Sequence, residues 1–161
     1  MTKRINQIIK NETFQQNYKK IEECEKERIF CKHDMVHFLD VARIGEIINL
    51  KEQINVDEEM IYAAALLHDI GRHEQYLNGT PHEIASVPIA EKILDKCGFN
   101  EKETCVILKA IDNHRTKEIQ NERNLSGILY RADKLSRACF SCQSEKECNW
   151  KNEKKNMELK Q

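Results

Sequence analysis

The sequence predicts an all-α protein with one core. Its 161 residues include only five glycines and two prolines, about 4% together where roughly 12% is usual, so the many turns of a β-sandwich are not expected. Apolar residues recur at three- and four-residue steps, as at Phe14, Tyr18, Ile21 and Cys24, which is the spacing of an amphipathic helix. We expect residues 1 to about 31 to form one such helix.

The second predicted helix covers about residues 34–50. Phe38, Val41 and Ile44 form its apolar stripe, and His37 lies one turn before Val41. The histidine is therefore on the same side of the helix as the stripe and is expected to face the core.

The third helix is predicted to begin at Asn55, a residue type common at N-caps, with Glu58 three residues later. The apolar run Ile61–Leu67 leads directly into His68 and Asp69. A helix that is apolar on most sides is buried, so its last two residues are expected to reach the interior.

The fourth predicted helix has a clear start signal. Thr80 is its expected N-cap, with Pro81 in the first turn and Glu83 completing a capping box. This assignment places His82 in the first turn and ends the helix near Gly98.

The last two predicted helices each carry one further polar residue of interest. Asn100 and Glu103 repeat the capping pattern ahead of a helix that leads to His114. A final core helix over about 126–139 surrounds Asp133 with apolar neighbours.

The charge balance and apolar runs exclude several classes of partner. The 26 basic and 27 acidic side chains give a formal net charge of −1, whereas duplex nucleic acid requires a basic excess. The longest apolar run has seven residues, where a membrane span needs about 20. We expect a cytoplasmic protein that acts on a small molecule; the sequence leaves its oligomeric state open.

Polar residues on inward faces and at helix ends predict a metal centre. Any one of these histidines alone is more commonly a hydrogen-bonded core residue, but six buried ionisable groups need a shared explanation. A pair of divalent cations supplies one, because imidazoles and carboxylates are usual ligands of Zn, Mn and Fe. The candidate ligands are His37, His68, Asp69, His82, His114 and Asp133.

Three motifs resemble the signatures of the HD-domain superfamily of metal-dependent phosphohydrolases. They are HFLDVA from His37, ALLHDIG from Ala65 and YRADKL from Tyr130. The resemblance covers roughly residues 31–140 and implies an orthogonal helical bundle. Residues 1–30 would be a helical extension packed on this core, and residues 139–161 a polar tail that contains cysteines.

The resemblance also implies roles for the candidate ligands. His37, His68, Asp69 and Asp133 would bind the primary metal, Fe, Mn or another divalent transition ion. His82 and His114 resemble the additional pair of dinuclear members such as the dinucleoside-tetraphosphate hydrolases, in which Asp69 would bridge two ions. A metal-activated hydroxide would then attack phosphorus, with His68 and Asp69 as the catalytic residues.

The first ligand has a local alternative. His33 and His37 are four residues apart, so either is a candidate. His37 is preferred because it precedes the apolar stripe and matches the family position. His33 is then either a substrate contact at the pocket mouth or a surface histidine, and His73 is expected to be exposed.

Three cationic side chains near the ligands are candidates for holding a phosphate. They are Arg72, Arg115 and Lys134. Each is also credible as a solvated surface charge.

A cysteine cluster follows the Asp133 helix. Cys139, Cys142 and Cys148 lie within ten residues, which indicates a structural zinc or iron–sulfur site that needs one more ligand. Cys24 and Cys31 are the candidates for that ligand. The alternative is three free thiols on a polar tail.

The sequence therefore predicts a metal-dependent phosphohydrolase that cleaves a phosphoester or phosphoanhydride of a nucleotide or related small molecule. Two alternatives remain open at this level. One is a mixed-valence di-iron oxygenase of similar fold, and the other is a nucleotide-sensing module without turnover.

Overall fold

The computed structural model describes residues 3–160, and all regular structure in that range is helical. The α-helices are α1 (Lys3–Lys10), α2 (Glu12–Cys24), α3 (Met35–Glu52), α4 (Glu58–Leu67), α5 (Arg72–Asn78), α6 (His82–Lys96), α7 (Glu101–Asn113) and α8 (Leu125–Leu135). Single 3₁₀ turns lie at Lys117–Asn121, Cys139–Ser141 and Asn152–Lys154. The predicted all-α class is confirmed. Within the described range, none of the helices is both long and apolar enough to cross a bilayer.

The centre of the bundle is formed by α3, α4, α7 and α8. Helix α3 packs against α4 and α8, and α7 packs against α4, α6 and α8. Gly45 allows the close approach of α3, because a Cβ there would lie 2.9 Å from Ile61 Cγ2 and 3.2 Å from Ile128 Cγ2. These contacts bring the helices that carry the candidate ligands into one core.

The N-terminal segment is two helices instead of the single helix expected to residue 31. The first helix ends before Asn11, whose side-chain oxygen accepts hydrogen bonds from the backbone N–H groups of Thr13 and Phe14. Asn11 therefore caps a new helix, and α2 ends at Cys24. The segment still contributes to the main core, with buried side chains at Ile5, Ile8, Phe14 and Ile21.

The predicted start of α4 differs from the observed one, whereas the predicted start of α7 is confirmed. Asp57, and not Asn55, caps α4 by accepting from the N–H groups of Glu59 and Met60, while Asn55 has a φ of 63° that no helix N-cap adopts. The Asn100–Glu103 capping box of α7 is confirmed.

The capping box predicted for α6 is absent. Pro81 is in extended conformation and occupies the N-cap position without a side-chain cap, so α6 begins at His82 instead of Pro81. Thr80 lies one residue before the N-cap position, so its hydroxyl does not cap the helix. The Glu83 carboxylate instead lies 3.4 Å from the Arg115 guanidinium. The helix around Asp133 also ends early, at Leu135.

The turn after α4 is pressed against α6. A Cβ added at Gly71 would lie 2.5 Å from the backbone nitrogen of Ser86, so only glycine fits. The Gly71 N–H also donates to Ser86 Oγ at 2.9 Å. This contact places Asp69, two residues before the glycine, beside the first turn of α6.

Candidate metal centre

Six polar side chains from five segments of the bundle converge beneath one pocket. Each lies at or near a helix end, where the chain leaves the apolar core. They are His37 in the first turn of α3, His68 and Asp69 after α4, His82 at the start of α6, His114 after α7, and Asp133 near the end of α8.

The Asp69 carboxylate lies between two pairs of histidines. Its Oδ2 atom is 3.1 Å from His68 Nε2 and 3.6 Å from His37 Nε2. Its Oδ1 atom is 3.1 Å from His82 Nε2 and 3.6 Å from His114 Nε2. Each oxygen therefore faces a different pair, which is the arrangement of a carboxylate that bridges two cations.

Asp133 completes the first of the two groups. Its Oδ1 atom lies 3.6 Å from His37 Nε2 and 3.7 Å from His68 Nε2. The ligand atoms within each group all lie within 4.8 Å of one another; the groups are His37, His68, Asp69 and Asp133, and Asp69, His82 and His114. The structure thus brings together all six candidate ligands.

Backbone carbonyls fix the tautomers of two histidines. His68 Nδ1 donates to the Ala65 carbonyl at 2.7 Å, and His114 Nδ1 donates to the Ile111 carbonyl at 2.6 Å. A carbonyl oxygen only accepts, so Nδ1 carries a proton and Nε2 is the ring nitrogen that faces Asp69. This is the tautomer that binds a metal through Nε2.

The other two histidines are oriented by side chains. Ser136 Oγ donates to the Asp133 carbonyl at 2.8 Å, so its oxygen accepts from His37 Nδ1 at 3.3 Å. Gln75 Oε1 lies 2.6 Å from His82 Nδ1 and also accepts from the His82 backbone N–H at 3.3 Å. All four Nε2 atoms are therefore directed inward.

The residues fit divalent cations. Among the described residues, His37 Nε2, His68 Nε2 and Asp69 Oδ1 are buried polar atoms that have no hydrogen-bond partner, which is costly unless another group binds them. Lone pairs of neutral imidazole nitrogens next to carboxylate oxygens are the donor set of Zn, Mn and Fe sites. One cation in each group would satisfy every inward-facing atom.

The electrostatics of the cluster also favour positive charge. Burial disfavours a charged imidazole, yet the carboxylates of Asp69 and Asp133 raise the pKa of His68 to about 10. Burial likewise opposes ionisation of Asp69, but His68 and the other histidines hold its pKa well below the ordinary value. In the absence of a metal, protons take the place of the cations between these groups.

A basic pocket opens above the cluster. The predicted substrate-binding residues His33, Arg72, Arg115 and Lys134 all line it. Sequence reasoning missed the rest of its wall, which includes Arg28, Lys32, Arg137 and Trp150. These residues come from the segment before α3 and the tail after α8, which are distant in sequence.

His33 lies beside the ligands but outside both groups. Its Nε2 atom is 3.8 Å from Asp69 Oδ2, and its ring meets that of His37 edge-on with centroids 5.6 Å apart. Its Nδ1 atom contacts the Glu25 carboxylate. The geometry thus places His37 among the ligand atoms and His33 at the pocket wall.

Glu25 is a site residue that the sequence did not single out. Its buried carboxylate accepts hydrogen bonds from the His33 backbone N–H and the Tyr76 hydroxyl, both at 2.7 Å. Burial opposes its ionisation, but the contact with His33 lowers its pKa to about 2. Nothing local marks this residue, because it is one of several acids in the run EECEKE.

His73 is buried, so the prediction that it is exposed was wrong. Its Nε2 atom lies 2.7 Å from Asn17 Oδ1 on α2. The side chain therefore links α5 to α2 and points away from the cluster.

Comparison with known proteins places this arrangement in a family. The model of the HD domain matches residues 35–138. The chain belongs to the HD domain family. It is also 47% identical over 156 residues to an uncharacterised protein of Clostridium beijerinckii, which covers 97% of this chain and 98% of that protein.

A solved structure shares the fold of this HD domain. It is the crystal structure of a predicted HD superfamily hydrolase from an uncultured Thermotogales bacterium, with a TM-score of 0.63 and 26% sequence identity. The match covers 89% of this chain and 81% of the other. The shared part is therefore longer than residues 35–138 alone.

The Glu25 contact predicts a pH-dependent stability. Because its pKa falls from 4.5 to about 2 on folding, Glu25 stabilises the fold by about 3 kcal/mol above pH 4.5, and this is lost as the pH falls toward 2. The stability advantage of wild type over Glu25→Gln should shrink over the same range, as measured by urea unfolding of the metal-free protein. Glu27→Gln, which removes an exposed carboxylate, is the control. An advantage independent of pH would contradict this role.

Proposed function

We propose that this HD domain protein is a metal-dependent phosphohydrolase that cleaves a phosphoester or phosphoanhydride of a nucleotide or related small molecule. The observation that carries the proposal is the Asp69 carboxylate, shared by two ligand groups beneath a basic pocket. The solved structural relative is described as a predicted HD superfamily hydrolase, which supports the same reaction class.

The cofactor we infer is a pair of divalent transition ions, with iron and manganese as the leading candidates. His37, His68, Asp69 and Asp133 would hold one ion, and Asp69, His82 and His114 the other. When bound, such ions lower the pKa of water to near neutrality and polarise phosphoryl oxygens.

The protein contributes rigid orientation of the ligands. The Nδ1 protons of His68 and His114 are held by backbone carbonyls, so neither ring can rotate without leaving a buried carbonyl unpaired. The Asp69 carboxylate is held ionised by the histidines around it. The centre therefore does not need to reorganise when substrate arrives.

The pocket wall supplies positive charge for the substrate. Arg28, Lys32, Arg72, Arg115, Lys134 and Arg137 all line it, although the whole chain has a formal net charge of only −1. Lys134 Nζ lies 2.5 Å from Asp133 Oδ2, so it joins the ligand layer to the pocket. Guanidinium groups form charge-assisted, often bidentate hydrogen bonds with phosphate oxygens.

The predicted cytoplasmic location, the small-molecule substrate and the absence of a duplex nucleic acid partner stay predictions. Among alternative activities, an oxygenase would consume oxygen with iron loaded, and a sensor would bind nucleotide without turnover. Both are outcomes of the experiment below.

Replacing Asp69 tests the proposal directly. Protein loaded anaerobically with manganese or iron should hydrolyse members of a panel of nucleotides, dinucleoside polyphosphates and phosphodiesters. Asp69→Asn keeps the shape but removes the bridging charge, so we expect kcat/KM to fall by more than about 100-fold and bound metal to be lost. His73→Gln alters a buried histidine outside the centre and should retain both. Turnover unchanged in Asp69→Asn would place the reaction elsewhere.

Arg115 tests the substrate class. Its side chain is 53% exposed at the pocket wall, so Arg115→Gln should remove one phosphate contact without unfolding the protein. We expect KM for the best phosphate substrate to rise about tenfold with little change in kcat. Arg43→Gln, on the exposed face of α3, is the matched control. Equal KM values for the two variants would argue against phosphate binding at this wall.

A further inference from the structure

Four cysteines from distant parts of the chain line one cavity beside the metal centre. They are Cys31, Cys139, Cys142 and Cys148. The remainder of the wall is partly apolar, with Ile29, Phe30, Ala138 and Trp150. Cys24, the other candidate for a fourth ligand, does not line this cavity, so the structure selects Cys31.

The tail is folded so that its three cysteines surround the cavity. Three successive tight turns are closed by backbone hydrogen bonds from Cys142 to Cys139 at 3.2 Å, from Glu145 to Cys142 at 3.3 Å, and from Cys148 to Glu145 at 3.3 Å. Asn156 then anchors the end of the tail by donating to the carbonyls of Lys134 and Arg137 at 2.7 Å and 3.0 Å. These hydrogen bonds thus hold the polar C-terminal tail in a defined conformation.

The charges around the cavity suit bound thiolates. The Lys155 side chain is buried and donates to Glu145 Oε1 at 2.6 Å. The hydrogen bond to Glu145 raises the pKa of Lys155 most, and the nearby Cys148 and Cys139 add smaller effects in the same direction. A buried ammonium group beside cysteines offsets the negative charge of thiolate ligands.

The thiols also influence one another. Burial, and then the proximity of Cys139, Cys142 and Cys148, raise the pKa of the Cys31 thiol, against a smaller opposite effect of Arg137. Four thiols this close resist ionisation unless a cationic centre binds them.

The spacing of the sulfur atoms argues against a single ion. Zinc with Zn–S bonds of about 2.3 Å requires sulfur atoms about 3.8 Å apart. Within residues 3–160, the groups whose ligand atoms all lie within 4.8 Å of one another are the two at Asp69, and the cysteines do not form such a group. In a cubic four-iron cluster each cysteine binds a different iron, so the cysteine sulfur atoms are further apart than around a single ion.

From this geometry we propose that Cys31, Cys139, Cys142 and Cys148 bind a cubic iron–sulfur cluster. This site is separate from the two His/Asp groups and does not depend on the phosphohydrolase proposal. The bound cluster carries a net negative charge, which Lys155 and the nearby Arg137 offset.

The cluster would have a structural role at the pocket mouth. It joins residue 31, two positions before His33, to the tail after α8. Cys31, Arg28 and Trp150 line both this cavity and the pocket above the metal centre, and Arg137 lines that pocket. The Arg137 guanidinium lies 4.5 Å from the centre of the Trp150 ring, so fixing the tail fixes both residues at the substrate entrance.

The test is anaerobic reconstitution of the full chain with ferrous iron and inorganic sulfide. We expect about four acid-labile sulfide ions per chain and a broad visible absorption that dithionite bleaches. Iron bound by the His/Asp groups contributes neither signal. Trp150 is the chain's one tryptophan and lines the cavity, so its fluorescence should be quenched when the cluster forms.

Matched serine variants assign the ligands. Cys31→Ser and Cys142→Ser should each lose labile sulfide by about fivefold or more, while Cys24→Ser and the exposed Cys105→Ser should retain it. Circular dichroism of the apoproteins, with manganese binding at the His/Asp centre, shows that the variants are folded. Zinc bound by these cysteines without labile sulfide, full sulfide content in Cys31→Ser, or a loss confined to Cys24→Ser would each overturn the proposal.

Discussion

The structure depends on keeping the Asp69 carboxylate ionised inside the core. An unpaired buried carboxylate is expensive, and this one is stabilised by the adjacent His68 and by imidazoles from three other helices or helix ends. That requirement explains why α3, α4, α6 and α7 place ends or end turns in one region. The tight contact of Gly71 with α6 serves the same purpose, because it sets the distance between Asp69 and His82.

Part of the pocket wall lies outside residues 35–138, the range that the HD domain model matches. Glu25 and His33 precede this range, and Trp150 follows it. The two groups of candidate ligands thus belong to the common domain. The flanking segments add to a basic pocket wall that Arg72, Arg115 and Lys134 of the domain also line. The alignment with the 47% identical relative covers 97% of the chain. It therefore includes the flanking segments as well as the HD domain.

Sequence reasoning predicted the candidate ligands because each interrupts a helical apolar pattern, as His68 and Asp69 do after Ile61–Leu67. It failed where tertiary contact decides the outcome. Thr80 resembles an N-cap, but the extended Pro81 after it delays the helix. His73 sits among polar residues, yet Asn17 on a distant helix buries and pairs it. Glu25 and Cys31 gain their roles only from partners far along the chain, which no local spacing reveals.

The most direct test of the central claim is the manganese content of the purified protein, since manganese does not build iron–sulfur clusters. If Asp69 bridges two cations, wild type should bind about two manganese ions per chain. His82→Ala should bind about one, because the group of His37, His68, Asp69 and Asp133 stays intact. One ion in the wild type, or equal content in both proteins, would contradict the bridging role of Asp69.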